Sequence, residues 1–479
     1  MKVIKNYLYN AGYQILVMLV PLITTPYVNR VLGAYGIGMN TFTNTTIQYF
    51  ILGGSLGISI YGNRQIAYVR DNQRQLTKTF LEIQIVKTIG ILVSTALFFL
   101  YLFEFARYKE YMLLQGINLI AAAFDISWFF QGLENFKITV VRNMIVKIIS
   151  TILIFVFVRT SSDTGTYIFI LAMSILLGNL TLWPYLKGTL VKVSISELSP
   201  WIHIVPSLAL LLPQVALQIY QILNRTILGV FISTNASGFY FDADTIIKIA
   251  LSLITSIGTV MLPHVANEFI KGNKDKINNY MYLSSDITSA LAIAFSFGIA
   301  AISFKLAPVF FGKEFLPVGG AMFIEAPVIY LAGISGVLGT QYLLPTNQLK
   351  KYTVSIMVGA VASICLNLIL IPAWGLNGAM VATVSSEASV LVYQLVVLAK
   401  SNQLKIGHLF DGFFKYFIAG MVMFIIVFSI DRYTKNGVIE LIVEIIVGAI
   451  VYLTMVVILK TNIYCEVRKF LNKRVIKEK

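Results

Sequence analysis

The stretch Asn29-Arg30-Val31-Leu32-Gly33 ends a long apolar run, and it returns 195 residues later as Asn224-Arg225-Thr226-Ile227-Leu228-Gly229. An arginine within or near the hydrocarbon of a membrane costs about 2.5–3.5 kcal/mol on insertion scales. Because this costly residue comes at the same point of two similar segments, the repeat indicates a duplicated membrane architecture. It also favours a transport pathway, since intramembrane charges commonly line one.

The rest of the chain has the composition of a polytopic membrane protein. Of its 479 residues, 57% are hydrophobic and 12% are charged, and the mean hydropathy is +0.79. The apolar runs are too long for barrel strands, and each must satisfy its own backbone in lipid, so each is predicted to be a helix. We expect an all-α fold with about 14 transmembrane helices, near residues 8–32, 36–61, 80–103, 111–131, 138–158, 166–187, 201–232, 237–263, 280–303, 318–344, 351–371, 376–399, 413–430 and 437–460.

The basic residues predict the orientation of these helices. With the N-terminus inside, 25 of the 37 lysines and arginines fall in inner segments, eight fall in outer segments and four lie within spans. Positive residues stay on the cytoplasmic side, so both termini are predicted to be cytoplasmic. The cations are spread over loops and the tail, which does not favour a nucleic-acid partner, and the basic tail is predicted to rest on anionic membrane lipids.

Further matches extend the repeat to two six-helix copies. Phe136-Lys137-Ile138-Thr139-Val140 resembles Lys350-Lys351-Tyr352-Thr353-Val354, and each stretch precedes the fifth span of its copy. Six is even, so the two copies enter the membrane in the same orientation, as in parallel-repeat transporters. The predicted domains are an N-terminal lobe (1–187), a linker (188–200), a C-terminal lobe (201–400), the thirteenth and fourteenth predicted transmembrane helices (401–460) and a basic tail (461–479).

Polar residues recur at helical spacing in the first two spans of each copy. Side chains three or four positions apart share one helix face, and amides and charges in hydrocarbon face protein or water. We therefore predict a wet cavity between the lobes, in contact with Asn40, Asn44, Gln48, Gln214, Gln218, Gln221, Asp244 and Lys248. Two alternatives stay open: the amides hold helices together, and Asp244 and Lys248, four positions apart, neutralise each other.

The chemistry of these residues suits an anionic ligand with many hydroxyl groups. Arginine presents a fork of donors that matches phosphate oxygens, so Arg30, Arg225 and Lys248 are predicted to contact a diphosphate, and the amides to contact sugar. We expect the two arginines to face each other at the outer ends of their helices, as a two-sided clamp. Candidate carboxylates for ion coupling are Asp125, Glu325, Glu387 and Glu444.

An enzyme is the alternative from another class. Asp242-Ala243-Asp244 resembles the Asp-x-Asp pair of some glycosyltransferases, which favours a membrane glycosyltransferase or a polysaccharide polymerase. No nucleophile cluster or set of metal ligands accompanies the pair, so no enzyme activity, cofactor or metal site is predicted. His203, His264 and His408 are scattered and are expected to lie in solvated loops.

Several motifs together resemble one family. They are Pro26-Tyr27-Val28-Asn29-Arg30-Val31-Leu32-Gly33, Tyr61-Gly62-Asn63-Arg64-Gln65-Ile66-Ala67, Asp125-Ile126-Ser127-Trp128-Phe129-Phe130-Gln131-Gly132-Leu133-Glu134-Asn135-Phe136-Lys137, Gly258-Thr259-Val260-Met261-Leu262-Pro263 and Leu368-Ile369-Leu370-Ile371-Pro372 with Gly378-Ala379. The chain resembles, over about residues 1–400, the bacterial polysaccharide repeat-unit flippases of the multidrug/oligosaccharidyl-lipid/polysaccharide exporter superfamily.

This resemblance implies export of undecaprenyl-diphosphate-linked oligosaccharides for O-antigen, capsule or exopolysaccharide assembly, by alternating access through a cationic cavity. A lipid-linked oligosaccharide is then the substrate, and a polysaccharide polymerase and a chain-length regulator are candidate partners. Members often have an aspartate before the basic residue of the second motif, but this chain has Asn224 there. A drug/cation antiporter of the same superfamily is the second transporter hypothesis, although a cationic cavity argues against cationic drugs.

Overall fold

A computed structural model describes residues 2–401, 404–435, 437–466 and 468. The side chains of residues 2–17, 136, 210, 212–214, 216, 217, 219–221 and 259–260 lie outside that description. The described chain is almost entirely helical, and the predicted all-α class of a multi-pass membrane protein is confirmed.

The α-helices, in chain order, are α1 (Lys2–Ser55), α2 (Ile58–Val69), α3 (Gln73–Glu104), α4 (Lys109–Phe124), α5 (Ser127–Gly132), α6 (Phe136–Phe157), α7 (Thr164–Leu180), α8 (Ile204–Phe231), α9 (Thr234–Ile270), α10 (Lys274–Phe310), α11 (Leu316–Glu325), α12 (Val328–Leu338), α13 (Leu349–Ser401), α14 (Ile406–Leu409), α15 (Phe413–Tyr433) and α16 (Val438–Ile458). All fourteen predicted spans fall on helical segments. In the described part, nine helices are long and apolar enough to cross a membrane, and one pair of helices, bent by 44°, passes the same test together. The count of fourteen stays a prediction.

Two glycines break the two longest helices. Gly33 in α1 has φ 67° and ψ 178°, and Gly375 in α13 has φ 57° and ψ −130°. Side chains disfavour such backbone angles, so glycine is the residue that fits them. Each helix of more than 50 residues therefore contains two of the predicted spans, one on either side of its glycine.

The chain divides into two compact units, Met1–Gly229 and Val230–Lys479. In the first unit, α2, α3 and α5 meet around buried aromatic rings. Phe80 stacks on Trp128 with ring centroids 5.7 Å apart, and it meets Phe129 edge-on at 4.8 Å. A Cβ atom on Gly62 would lie within 3.0 Å of the Trp128 ring, so the glycine lets α2 approach α5 closely.

His203 lies in the same unit, and the expectation that it is solvated is wrong. It is 7% exposed, its Nδ1 lies 2.7 Å from the Tyr61 hydroxyl, and its Nε2 lies 3.0 Å from Glu82. Glu82 also accepts a 2.7 Å hydrogen bond from the backbone N–H of Ser199. These bonds hold the segment before α8 onto α2 and α3, because a buried carboxylate and imidazole need partners.

In the second unit, α10 packs against α15 and α16 around a buried ion cluster. Lys305 is 1% exposed, pairs with Glu444, and lies 3.1 Å from Asp431. Thr434 bonds both the lysine, at 2.6 Å, and Glu444, at 2.7 Å. Sequence patterns make Glu444 a candidate carboxylate for ion coupling, and the structure pairs it with Lys305. A charge buried this fully is stable only with such partners.

Candidate functional site

The second copy of the arginine stretch lies on α8, which packs along α1 within the first unit. A Cβ atom on Gly229 would overlap the Phe42 ring, and the hydroxyls of Tyr49 and Thr226 are 2.9 Å apart. At the other end of α8, a Cβ on Gly57 would lie 2.7 Å from the carbonyl oxygen of Ser207. Residue numbers rise along α1 as they fall along α8, so the two helices are antiparallel.

These contacts determine where the two arginines lie along α1. Phe42 and Tyr49 follow the break at Gly33 by nine and sixteen residues, which is about 14 Å and about 24 Å at 1.5 Å per residue. Arg225 therefore lies well along the second segment of α1, whereas Arg30 lies beside the break. The two arginines thus lie at different positions along α1, because α8 contacts the middle of α1, and the two-sided clamp stays a prediction.

Each arginine follows a buried asparagine. Asn29 and Asn224 are each 2% exposed, whereas Arg30 is exposed and Arg225 is half-buried. The asparagine of each copy thus packs into the unit, and the next residue is turned about 100° around the helix, away from that packed side. Each arginine is thus more exposed than the asparagine before it, although the Nε atom of Arg225 is buried.

The predicted sugar-contacting amides on α1 form a cluster with α4. The Gln115 side chain donates to Asn40 Oδ1 at 3.3 Å and to Thr43 Oγ1 at 3.4 Å, and it accepts from Asn44 at 3.2 Å and from Asn118 at 2.9 Å. Gln115 is 2% exposed, while Asn40 and Asn44 are half-buried. The cluster holds α1 and α4 together and still presents two amides on its accessible side.

Sequence reasoning missed Gln115 and Asn118. They stand three positions apart in an otherwise apolar run of α4, which is the same helical-face signal that identified Asn40 and Asn44. Of the other predicted amides, Gln48 is half-buried and Gln218 is exposed. The side chains of Gln214 and Gln221 lie outside the described residues.

Asp244 and Lys248 form the ion pair that their spacing allows. The Lys248 Nζ lies 2.9 Å from an Asp244 carboxylate oxygen, with side-chain exposures of 48% for the lysine and 8% for the aspartate. Asp242 is fully buried. The Asp-x-Asp pair is therefore poorly placed to hold a metal–nucleotide, because one acid is enclosed and the other is bound to a lysine.

The candidate coupling carboxylates occupy different surroundings. Asp125 accepts a 2.9 Å bond from the backbone N–H of Ser127 at the start of α5, and its own carbonyl accepts a 2.5 Å bond from buried Lys87. Glu325 is fully buried at the last residue of α11, beside the 44° bend into α12. Glu387 is half-buried in α13. Asp125 thus bonds the first backbone N–H of α5, whereas Glu325 lies beside a bend between two short helices.

The chain is similar to known proteins in its sequence and in its fold. The model of a family described as "Polysaccharide biosynthesis protein" matches residues 3–269. A protein of Escherichia coli (strain K12) named "Putative O-antigen transporter" is 22% identical over 408 residues, which cover 84% of this chain and 97% of that protein.

Solved structures share the fold. A structure titled "Lipid II flippase MurJ, inward closed conformation" superposes with a TM-score of 0.72 and 15% identity, covering 94% of this chain and 98% of that one. An inward-facing multidrug resistance MATE family transporter of the MOP superfamily gives a TM-score of 0.63 and 13% identity, covering 80% of this chain and 95% of that one. At these identities the likeness concerns the fold alone.

Proposed function

The chain belongs to the polysaccharide biosynthesis protein family, and from that membership we propose that it is a flippase for undecaprenyl-diphosphate-linked oligosaccharide repeat units. It moves them from the inner to the outer leaflet of the bacterial cytoplasmic membrane by alternating access. The sequence motifs that resemble the repeat-unit flippases agree with the family match, and the E. coli relative is named as a transporter rather than an enzyme.

The observation that supports this proposal most directly is the packing of the Arg225 turn on α1. The bond between Thr226 and Tyr49 holds this turn on the helix that also presents Asn40 and Asn44. A basic group and a row of amides thus belong to one helix pair. Such a pair suits a head group in which phosphate is joined to sugar, because guanidinium matches phosphate oxygens and amides match hydroxyls.

In this proposal Arg225 contacts the diphosphate and Arg30 contacts it at another stage of the passage, since the two lie at different positions along α1. Lys248 is the third phosphate contact, and its half-exposed ammonium is available at the cost of its bond to Asp244. Asn40, Asn44, Gln48 and Gln218 contact sugar. Each of these contacts replaces existing bonds, to protein or to water, with bonds to the head group.

Glu325 is the strongest of the proposed coupling carboxylates. It is fully buried beside a bend between α11 and α12, and broken helices are where transporters commonly place ion sites. Asp125 ranks lower because its carboxylate already bonds the backbone of α5, and Glu387 has no comparable backbone feature. A polysaccharide polymerase and a chain-length regulator are proposed partners that use the exported units.

The experiment replaces Arg30 and Arg225 by alanine, singly and together, in cells whose own gene is deleted. The amount of lipid-linked repeat units that reaches the outer leaflet is measured. Their total amount and the amount of the protein in the membrane are measured alongside. One lost charge-assisted contact is worth about 1.5–3 kcal/mol, so Arg225→Ala should slow export about 10- to 100-fold. Arg107→Ala, which removes another exposed arginine of the same unit, is the matched control and should export normally.

Normal export by the double variant, at a normal protein level, would remove the phosphate role. The deletion strain itself distinguishes a flippase from an enzyme and from a drug antiporter. A build-up of lipid-linked units on the inner leaflet supports the flippase, missing polymer without those intermediates favours an enzyme, and unchanged polymer favours a drug antiporter.

A further inference from the structure

A groove of about 920 Å³ runs between α6 and α7 in the first unit. Most of its wall is apolar, with Ile145 and Ile149 of α6 facing Phe169 and Leu177 of α7. These four side chains are each about half exposed, from 45% to 54%. Among the nine candidate spans of the described chain, α6 has the smallest share of buried residues, at 17%. A long apolar face of this helix is thus left uncovered by protein.

One end of the groove is basic. Lys137 and Arg142 line it there, and none of the residues that line the groove is acidic. Lys137 is exposed in the first turn of α6, where the positive end of the helix dipole also favours an anion. The nearby Glu134 bonds Arg70 at 2.7 Å, so its charge is directed toward that arginine. Arg142 shares its charge with the neighbouring Asp125, so the exposed Lys137 contributes most to the attraction of an anionic group.

The basic end is also rigid. Arg142 donates to Asn179 at 2.6 Å and to the Ser127 hydroxyl at 3.0 Å, so its guanidinium links α5, α6 and α7. Asn179 in turn donates to the carbonyl of Ala121 at 2.7 Å. Because these bonds fix the basic end of the groove, an anion binds a preformed site there and is contacted by the exposed Lys137.

The apolar part has the length of one membrane leaflet. From Arg142 to Leu153, the last lining residue of α6, there are eleven residues, or about 16 Å of helix. Half of a hydrocarbon core of about 30 Å is about 15 Å. Acyl chains of a glycerophospholipid fit this length, whereas a long prenyl chain extends far beyond it.

We propose that this groove is a binding site for an anionic glycerophospholipid, with the phosphate at Lys137 and Arg142 and the acyl chains between α6 and α7. The predicted orientation places Lys137 at the cytoplasmic surface, where anionic head groups attract basic side chains. The bound lipid completes the packing of α6. The site is separate from the helix pair of α1 and α8 and does not depend on what the protein transports.

The test measures lipid retention by native mass spectrometry of the full-length protein, equilibrated with equal amounts of phosphatidylglycerol and phosphatidylcholine. The wild-type protein should retain phosphatidylglycerol preferentially. Lys137→Gln should lower that retention about fivefold, which corresponds to about 1 kcal/mol for one basic contact, and should leave phosphatidylcholine unchanged. Lys192→Gln, an exposed lysine that does not line the groove, is the control and should behave as wild type.

A second variant tests the apolar wall. Ser174→Phe fills the groove from α7 and should lower the retention of both lipids, with the thermal midpoint confirming a folded protein. Equal phosphatidylglycerol retention in Lys137→Gln and wild type would overturn the proposal, as would full retention in Ser174→Phe. Preferential uptake of added undecaprenyl phosphate that is lost in Ser174→Phe would assign the groove to the prenyl lipid and overturn the phospholipid proposal. No transport is measured, so a failed flippase assay leaves this result standing.

Discussion

The two copies of the asparagine–arginine stretch are nearly the same in sequence but differ in local structure. In the first copy Gly33 lies three positions after the arginine and breaks α1 with φ 67°. In the second, one more residue precedes Gly229, which stays inside α8 and lies against the Phe42 ring. The same motif thus ends a helix segment in one place and packs a helix in the other.

The difference shows that a glycine can be required for two separate reasons. At Gly33 the reason is the backbone conformation, which side chains disfavour wherever they point. At Gly229 the backbone is ordinary helix, and the reason is the space taken by a neighbouring ring. The asparagines, in contrast, are buried in both copies, since each is 2% exposed.

The largest expected effect is that of Gly33→Ala. The alanine must adopt a conformation that costs up to about 3 kcal/mol, and no neighbouring substitution relieves it. The thermal midpoint of the purified protein should fall by several degrees, at about 2–4 °C per kcal/mol for a unit of this size. Gly53→Ala is the control, because Gly53 is helical with no atom within 4 Å of a built Cβ, and its midpoint should stay level or rise. A drop no larger than the control's would contradict the backbone explanation.

Gly229→Ala comes next: overpacking costs about 1–3 kcal/mol, and shifts of the ring relieve part of that cost. Unlike the loss at Gly33, this loss should be reduced when Phe42→Leu is added, since the smaller side chain leaves room for the new methyl group. The measurement is a double-mutant cycle in the thermal midpoint. Additive losses would mean that Phe42 is not the obstacle.

The smallest expected effect concerns the residue after the arginine. Thr226→Val keeps the shape of the side chain but removes its bond to Tyr49, a loss of about 1 kcal/mol. Tyr49→Phe should cost a similar amount, and the double variant little more, because both remove one bond. Val31→Thr, the reverse exchange at the matching position of the first copy, should change the midpoint little. Independent losses at Thr226 and Tyr49 would show that the bond contributes nothing.

Much of the architecture was predictable from local patterns. The apolar runs predicted the helices because any span must satisfy its own backbone in lipid. The helical-face spacing identified Asn40 and Asn44, which the structure joins through Gln115. The same spacing rule applied to Asp244 and Lys248 anticipated their ion pair.

The misjudged features depend on contacts between distant segments. His203 was expected in solvent, but its partners Tyr61 and Glu82 stand more than 120 positions away. Glu444 was a candidate for ion coupling, but it pairs with Lys305, which precedes it by 139 positions. No local window of sequence contains both members of such a pair, so periodicity cannot predict them.

The sequence by itself determined the helical class, the duplicated arginine stretch and the family resemblance, because hydropathy, backbone satisfaction and residue order are local properties. Only the tertiary structure decided that the two arginines lie at different positions along α1, that Glu444 is paired, and that α6 leaves a basic-ended groove beside α7. Those outcomes depend on which helix faces meet. That choice is made by the packing of side chains far apart in the chain, as the contact of Gly229 with Phe42 illustrates.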